Sequence, residues 1–178
     1  MTNTLEDNRP ILEVCFTPAL WDQHDPKDKN VVVIDIIRAT STIASALHHG
    51  VKKMIPVETV EEANTWLEKG YLVAGERDGI KIPHFHFGNS PFEFMGEDVR
   101  GKEIIHTTTN GTRCVLKSKG ARNIVAGSFV NQDAIFDWIK KENRNTILFC
   151  AGWKDHYVMD DALFAGAVVR ELADDFRI

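Results

Sequence analysis

The sequence predicts an α/β fold in which a mostly parallel sheet is flanked by helices. Strand-like and helix-like stretches alternate along the chain at short intervals, which is typical of such sheets. The stretch Val31–Ile34 is a continuous run of branched apolar residues, as in strands that are buried on both faces. The 178 residues, 43% of them hydrophobic, suffice for one packed domain. We therefore predict a single α/β domain over residues 1–178.

The first predicted unit joins the strand at Val31–Ile34 to a helix through Ile43–Leu47. Thr40, Ser41 and Thr42 precede that helix, and hydroxyl residues of this kind cap helix N-termini. The free backbone amides of a helix start favour a bound anion. The unit therefore predicts an anion-binding helix start directly after a buried strand.

The other predicted elements continue this alternation to the last helix. Between Gly75 and Gly101, repeated Gly and Pro interrupt the pattern and predict a long excursion. Loops of that length are usually functional. Predicted strands cover residues 53–57, 71–74, 103–107, 123–127 and 146–150, and predicted helices cover residues 60–67 and 162–169, a stretch through 115–117 and a segment after Asn131.

Composition argues against several classes of function. The net charge is −5 without a basic block, so nucleic acid is not an expected partner. No apolar run approaches the ~20 residues that span a membrane, so we expect a cytoplasmic protein without a membrane partner. Cys15, Cys114 and Cys150 are odd in number and widely spaced, which predicts reduced, buried thiols. The four tryptophans are expected in the core, with a homo-oligomer interface as the alternative.

Polar residues cluster where the predicted strands end. Asp35 and Arg38 follow the first strand, and Glu76 and Arg77 follow the strand at 71–74. Ligands of open α/β sheets bind beyond the carboxyl ends of the strands, and carboxylates suit Mg²⁺. We therefore take Asp35, Glu76 and Asp161 as candidate metal ligands. The alternatives are an ion pair between Asp35 and Arg38, and an ordinary acidic helix start at Asp161.

The segment Thr107–Thr112 is a second candidate binding element. Its Asn-Gly pair permits positive φ, so backbone amides can converge on one anion beside the threonine hydroxyls. A tight turn with hydroxyl caps explains the pattern equally well. The segment matches neither a P-loop nor a dinucleotide-binding fingerprint.

Several ordered blocks together resemble the 2-phosphosulfolactate phosphatase family. The blocks are Val33–Asp35 with Arg38–Thr42, Ala74–Arg77, Gly88–Pro91, Thr107–Thr112 and Cys150–Gly152. The resemblance implies an α/β, Mg²⁺-dependent hydrolase of the phosphate monoesters of small 2-hydroxy acids. The implied reaction converts (2R)-2-phospho-3-sulfolactate into 3-sulfolactate and phosphate, a step of coenzyme M biosynthesis. The alternatives are a phosphatase for other 2-phospho-hydroxy acids and a non-catalytic protein that binds an anionic metabolite.

The implied site draws on all of these blocks. The catalytic candidates are Asp35, Arg38, Glu76, Arg77 and Asp161, and the three carboxylates among them would hold Mg²⁺. The substrate-binding candidates are Ser41, Thr42, Asn89, Ser90, Thr108, Thr109, Asn110, Gly111, Thr112, Ser128 and Asn131. The attacking group is either a metal-activated water or a protein nucleophile. Cys150 is the thiol to consider, although it lacks the C-x5-R loop of thiol phosphatases.

The chain departs from the family pattern in three places. His84-Phe85-His86 stands where the family usually has Gly-Phe-Asp, and this histidine pair fits either a zinc site or two exposed loop residues. Met159-Asp160-Asp161 replaces the usual Glu-Asp before the final helix but keeps Asp161. Family members normally continue beyond the position of Ile178, so we expect a truncated form.

Overall fold

The structure, a computed structural model, describes residues 7–178 and alternates strands with helices. The strands are β1 (Leu12–Cys15), β2 (Asn30–Ile34), β3 (Lys53–Pro56), β4 (Leu72–Arg77), β5 (Ile80–Lys81), β6 (Glu103–Thr107), β7 (Asn123–Gly127) and β8 (Thr146–Cys150). The α-helices are α1 (Ala39–His48), α2 (Val60–Glu68), α3 (Gly111–Lys117), α4 (Gln132–Glu142) and α5 (Met159–Leu172). Short 3₁₀ helices cover Pro18–Gln23, Pro91–Phe94, Glu97–Val99 and Phe129–Asn131.

The strands form two sheets of four. The first has the order β1-β8-β2-β7 and is entirely parallel. The second has the order β3-β6-β4-β5, in which only the β4–β5 pair is antiparallel. The α/β class with mostly parallel strands is confirmed. The structure divides the strands into two sheets, whereas the sequence predicts one. The alternation of strands and helices is the same in both sheets, so it does not reveal the division.

The first sheet is covered on both faces, which explains the apolar run of β2. Val32 and Ile34 point to one face and pack with residues of α4 and α5, among them Phe164. Val31 and Val33 point to the other face and pack in a cluster that contains Trp21. Alternate residues of a strand face opposite sides, so a strand buried on both sides is apolar throughout. This burial fixes the position at which β2 ends and the polar segment after it begins.

The second sheet is also covered on both faces. Ala74 and Ile104 pack against α1 and against Phe94 of the excursion, and Val73 and Ile105 pack in a cluster with α2 residues. The excursion between β4 and β6 is therefore a packed layer, with Phe94 fully buried. Helices α1 and α3 each contact strands of both sheets, so the two sheets meet around these helices.

Among the boundaries that differ from the predicted ones, two concern the site directly. Helix α1 begins at Ala39, so Thr40, Ser41 and Thr42 lie in its first turn and do not cap it. Strand β4 runs on through Arg77 because it forms a two-residue hairpin with β5. Strand β1, which has the sequence Leu-Glu-Val-Cys, is not among the predicted elements. Within residues 7–178, no helix is both long and apolar enough to cross a bilayer.

Candidate active site

Asp35 lies at the carboxyl end of β2, where three parallel strands end together. Ile34 pairs with Gly127 of β7 and with Cys150 of β8. The residues that follow these three strands therefore share one edge of the sheet. This is the position at which open parallel sheets bind ligands.

The Asp35 carboxylate is buried between the starts of two helices. Its Oδ1 accepts a hydrogen bond from the Ala39 amide, the first of α1, at 3.1 Å. A Cβ on Gly111, the first residue of α3, would lie 2.7 Å from Asp35 Oδ2. Burial raises the pKa of Asp35 to about 6, and the charges of Glu76 and Asp160 add to the rise, while the amides of Ala39 and Gly111 oppose it. A carboxyl group with this pKa exchanges its proton near neutral pH.

Asp161, the third residue of α5, joins the segments that follow β2 and β8. Its Oδ1 accepts a hydrogen bond from the Ile36 amide and its Oδ2 one from the Gly152 amide, both at 2.9 Å. The side chain is only 2% exposed. Burial raises its pKa to about 7, and the charge of Asp35 contributes. Asp161 therefore fixes the backbone on either side of Asp35.

The raised pKa values predict how stability depends on pH. The folded chain holds protons on Asp35 and Asp161 up to about pH 6 and 7, whereas the unfolded chain loses them near the ordinary aspartate pKa of 3.8. The folded state binds more protons in this window, so the free energy of unfolding falls as pH rises from 4 to 7. Asp35→Asn should remove about 2–3 kcal/mol of that fall.

Urea unfolding of the metal-free chain across this pH range checks the prediction. Asp22→Asn, at an exposed position, is the control and should keep the wild-type slope. An Asp35→Asn slope equal to the wild-type slope would contradict the raised pKa of Asp35.

Glu76 is fully engaged in holding two backbone turns. Its Oε1 accepts from the Thr109 amide at 2.7 Å, and its Oε2 accepts from the Gly79 amide at 2.6 Å and the Thr109 hydroxyl at 3.0 Å. The side chain is 5% exposed. These contacts join the β4–β5 turn to the start of α3. Glu76 therefore acts on the site by positioning other residues.

Removing the Glu76 carboxylate should destabilise the fold. Glu76→Ala leaves three donors without their acceptor, and we expect a loss of about 3 kcal/mol in the free energy of unfolding. Glu76→Gln keeps one acceptor oxygen and should lose about half of that. Urea unfolding at pH 7 measures both, with the exposed Glu61→Ala as control. A loss of less than about 1 kcal/mol for Glu76→Ala would show that these contacts are not maintained in solution.

The three predicted metal ligands are near one another without forming a three-ligand cluster. Within the described part of the chain, no group of three or more His, Cys, Asp or Glu side chains is close enough to hold an ion together. Glu76 and Asp161 already accept backbone hydrogen bonds on both oxygens. Asp35 is therefore the carboxylate to consider for an ion that also takes water and substrate oxygens as ligands.

The two predicted arginines have different surroundings. Arg38 is half-buried, and its Nη2 donates to the Gly79 carbonyl at 2.9 Å. Within residues 7–178, its other N–H groups have no hydrogen-bond partner and can bind an anion. Arg77 donates through Nη2 to the Glu58 carbonyl and the Thr107 hydroxyl, and through Nη1 to the Glu76 carbonyl. Both terminal nitrogens of Arg77 thus donate to groups within the fold. Of these two arginines, Arg38 is the one that can bind a ligand.

The Thr107–Thr112 segment closes on itself. Thr108 Oγ1 accepts from the Thr112 amide at 3.1 Å, and Thr112 Oγ1 accepts from the Thr108 amide at 3.0 Å. Asn110 Oδ1 accepts from the Lys154 amide at 3.1 Å. The hydroxyls that were predicted to bind phosphate therefore hold the turn in shape. Gly111 lies against Asp35. Among residues 7–178, the side-chain nitrogen Nδ2 of Asn110 has no hydrogen-bond partner and can bind a ligand.

The remaining substrate-binding candidates make structural contacts around α1 and β7. The Ser41 hydroxyl donates to the Ile36 carbonyl and the Thr42 hydroxyl to the Asn89 carbonyl. Ser128 and Asn131 cap each other after β7. Asn89 Oδ1 lies 3.2 Å from His106 Nε2, and the Ser90 carbonyl accepts from the Glu93 amide. These contacts use the six residues within the fold, and Ser128, which directly follows Gly127 of β7, lies at the same sheet edge as Asp35.

The structure also shows the surroundings of the histidine pair considered for zinc and of the cysteine considered as a nucleophile. His86 Nδ1 accepts from the Val73 amide at 3.2 Å, and His84 Nε2 lies 2.8 Å from Asn64 Oδ1, so the two rings have separate partners. Cys150 is buried, and burial raises its pKa far above the usual value. A buried neutral thiol is a poor nucleophile.

Sequence reasoning missed two basic residues at the mouth of the site. Lys154 Nζ lies 2.7 Å from Asp78 Oδ1, and Arg113 Nη2 lies 2.7 Å from Asp155 Oδ1. Arg113 is the third residue of α3, and Lys154 follows β8. Neither belongs to a recognisable motif, because only the approach of separate turns brings them to the site.

Comparison with known proteins identifies a consistent set of relatives. The sequence pattern of the 2-phosphosulpholactate phosphatase family matches residues 15–178. A probable 2-phosphosulfolactate phosphatase of Caldanaerobacter subterraneus is 44% identical over 155 residues, covering 85% of this chain and 64% of the relative. Proteins of the same name from Carboxydothermus hydrogenoformans and Thermotoga maritima are each 42% identical, and 69% and 63% of their lengths are covered. The chain thus spans about two thirds of the length of these relatives.

Proposed function

The chain belongs to the 2-phosphosulfolactate phosphatase family, and on this premise we propose that it hydrolyses the phosphate monoester of a small 2-hydroxy acid, with 2-phosphosulfolactate as the substrate. The observation that carries the proposal is the buried carboxylate of Asp35. It lies between two helix starts at the carboxyl end of β2, Arg38 directly precedes α1, and burial raises the pKa of Asp35 to about 6.

Asp35 is proposed to accept the proton of the attacking water. The water oxygen bonds to phosphorus, the bond between phosphorus and the C2 oxygen breaks, and the released C2 oxygen takes a proton from solvent. The products are 3-sulfolactate and phosphate. Without a bound ion, the pKa of Asp35 is about 6, so the carboxylate is mostly ionised at pH 7. An ionised carboxylate has two oxygens, so one can accept the proton while the other holds the ion.

Arg38 is proposed to bind the phosphoryl oxygens. Its guanidinium uses one donor on the Gly79 carbonyl and has others in a planar fork that suits phosphate. The side-chain nitrogen Nδ2 of Asn110 is the uncharged donor at the same mouth. The side-chain oxygen of Asn110 already accepts from the Lys154 amide. Asp161 positions the backbone around Asp35 through its bonds to Ile36 and Gly152.

Magnesium is part of the proposal. The charge of Asp160 raises the pKa values of Asp35 and Asp161, and the charge of Asp35 adds to the raised pKa of Asp161. An anionic phosphate ester entering such a site is repelled unless a cation is present, which supports a metal ion held by Asp35. Mg²⁺ is commonly held by one or two carboxylates together with substrate phosphate. When bound, it would neutralise charge on the phosphoryl oxygens.

A substrate panel tests the proposed function. Phosphate release is measured from 2-phosphosulfolactate, 2-phospholactate and p-nitrophenyl phosphate, each with Mg²⁺ and with excess chelator. We expect both hydroxy-acid esters to exceed p-nitrophenyl phosphate by at least about tenfold in kcat/KM, because the site recognises their acid groups. Chelator should stop release. Tight binding of the esters without release would instead favour the non-catalytic alternative.

A further inference from the structure

We propose that Lys154 determines specificity by binding the sulfonate of the substrate, exchanging its present partner Asp78 for that group. The inference rests on the proposed function, because it concerns the part of the same substrate that lies away from the phosphoryl group. Neither the sequence motifs nor the family blocks include Lys154 or Asp78.

Two tight turns carry this pair to the mouth of the site. Asp78 and Gly79 form the β4–β5 turn, with φ of 54° and 79°. Lys154 and Asp155 form a second turn, with φ of 49° and 66°, closed by reciprocal hydrogen bonds of 2.9 Å between Trp153 and His156. Two-residue turns with positive φ at both positions hold the flanking chain in a fixed geometry.

Both turns are anchored to the site itself. The Lys154 amide donates to Asn110 Oδ1 at 3.1 Å, directly before the glycine that faces Asp35. The Asp78 amide donates to Thr109 Oγ1 at 3.0 Å, and Thr109 in turn donates to Glu76. The backbones are thus fixed, and the side chains of Lys154 and Asp78 project over the mouth from opposite turns.

The ion pair between them is easily exchanged. The two side chains are 55% and 60% exposed, and exposed pairs contribute little stability. A sulfonate offers three oxygens in place of one carboxylate and carries the same charge. Arg113 is a weaker candidate, because its bond to Asp155 also holds the second turn and both partners are less exposed.

Charge at the site favours such a contact. The substrate carries phosphate, carboxylate and sulfonate groups, while Asp35, Glu76 and Asp161 make the interior acidic. Arg38 and Lys154 contact neighbouring residues of the β4–β5 turn, Gly79 and Asp78. With the phosphoryl group at Arg38, we therefore expect the sulfonate at the ammonium of Lys154.

Two opposing variants test the proposal. Lys154→Met should raise KM for 2-phosphosulfolactate about tenfold with little change in kcat, and should leave KM for 2-phospholactate, which lacks the sulfonate, nearly unchanged. Asp78→Asn frees the ammonium and should lower KM for 2-phosphosulfolactate. Lys154→Arg, which keeps the charge, should restore most of the affinity. Lys119→Met, at an exposed position, is the control.

The opposing directions separate recognition from a structural role. If the pair only holds the two turns together, Lys154→Met and Asp78→Asn will change KM in the same direction and for both esters, which would overturn the proposal. Calorimetry measures the affinities for 3-sulfolactate and lactate without the need for turnover. A wild-type protein that hydrolyses neither ester would refute the proposed function, whereas equal loss of both ligands in Lys154→Met would refute the role of Lys154.

Discussion

Replacing Asp35 by Asn is expected to lower kcat for phosphate release by about 10³-fold and to raise the Mg²⁺ concentration that activity requires, because Asp35 is both the proposed base and the proposed ligand of the ion. The amide has nearly the same shape as the carboxylate and can keep the acceptor oxygen for the Ala39 amide. It cannot accept a proton from water. The loss therefore falls on the chemical step, and steady-state kinetics at pH 7 measure it.

The same substitution should make the folded chain more stable at pH 7. Burial disfavours the Asp35 charge, and Asn removes that charge. A loss of activity combined with a gain in stability distinguishes a functional carboxylate from a structural one. Asp133→Asn, at an exposed position on α4, is the control and should retain activity. A fully active Asp35→Asn protein would remove Asp35 from the mechanism.

Replacing Gly111 by Ala is expected to displace the start of α3 and to lower both activity and stability. The added Cβ would lie 2.6 Å from the Ala39 Cβ and 2.7 Å from Asp35 Oδ2. Both neighbours are held by backbone elements, so α3 must move away from α1. We expect a loss of about 2–3 kcal/mol in the free energy of unfolding and at least a hundredfold loss in kcat/KM.

Gly166→Ala is the matched control for this prediction. Gly166 lies within α5, and a Cβ there would meet no heavy atom within 4 Å. Alanine in an open helical position should stabilise the chain by about 0.5–1 kcal/mol. Thermal unfolding and phosphate release of the two variants check the contrast. A Gly111→Ala protein that behaves like Gly166→Ala would show that the close contact between α1, α3 and Asp35 is absent.

The parts of the site that depend on local sequence were predictable. Asp35 follows a continuous Val/Ile run, and such a run marks a strand buried on both faces, so its carboxyl end was foreseen. The position of Glu76 inside β4 could not be predicted from the apolar run, because that run ends at Ala74 whereas the strand continues to Arg77. The Asp78-Gly79 pair was an available hairpin signal, and it places Glu76 inside a strand that turns back.

Features that depend on distant contacts could not be predicted. Lys154 reaches Asp78 across 76 residues of chain, and no local pattern records that approach. The Thr108 and Thr112 hydroxyls suit a phosphate-binding loop, but each accepts a hydrogen bond from the backbone amide of the other residue. The partition into two sheets has the same origin, since strand pairing over long separations leaves the local alternation unchanged.

The central claim is tested most directly by ³¹P NMR of 2-phosphosulfolactate incubated with the purified chain and Mg²⁺. We predict that the ester signal is replaced, one for one, by inorganic phosphate, with 3-sulfolactate as the other product. Alkaline phosphatase in a parallel sample shows that the ester is hydrolysable. An unchanged ester signal in the presence of the folded chain, beside complete conversion in that sample, would contradict the claim.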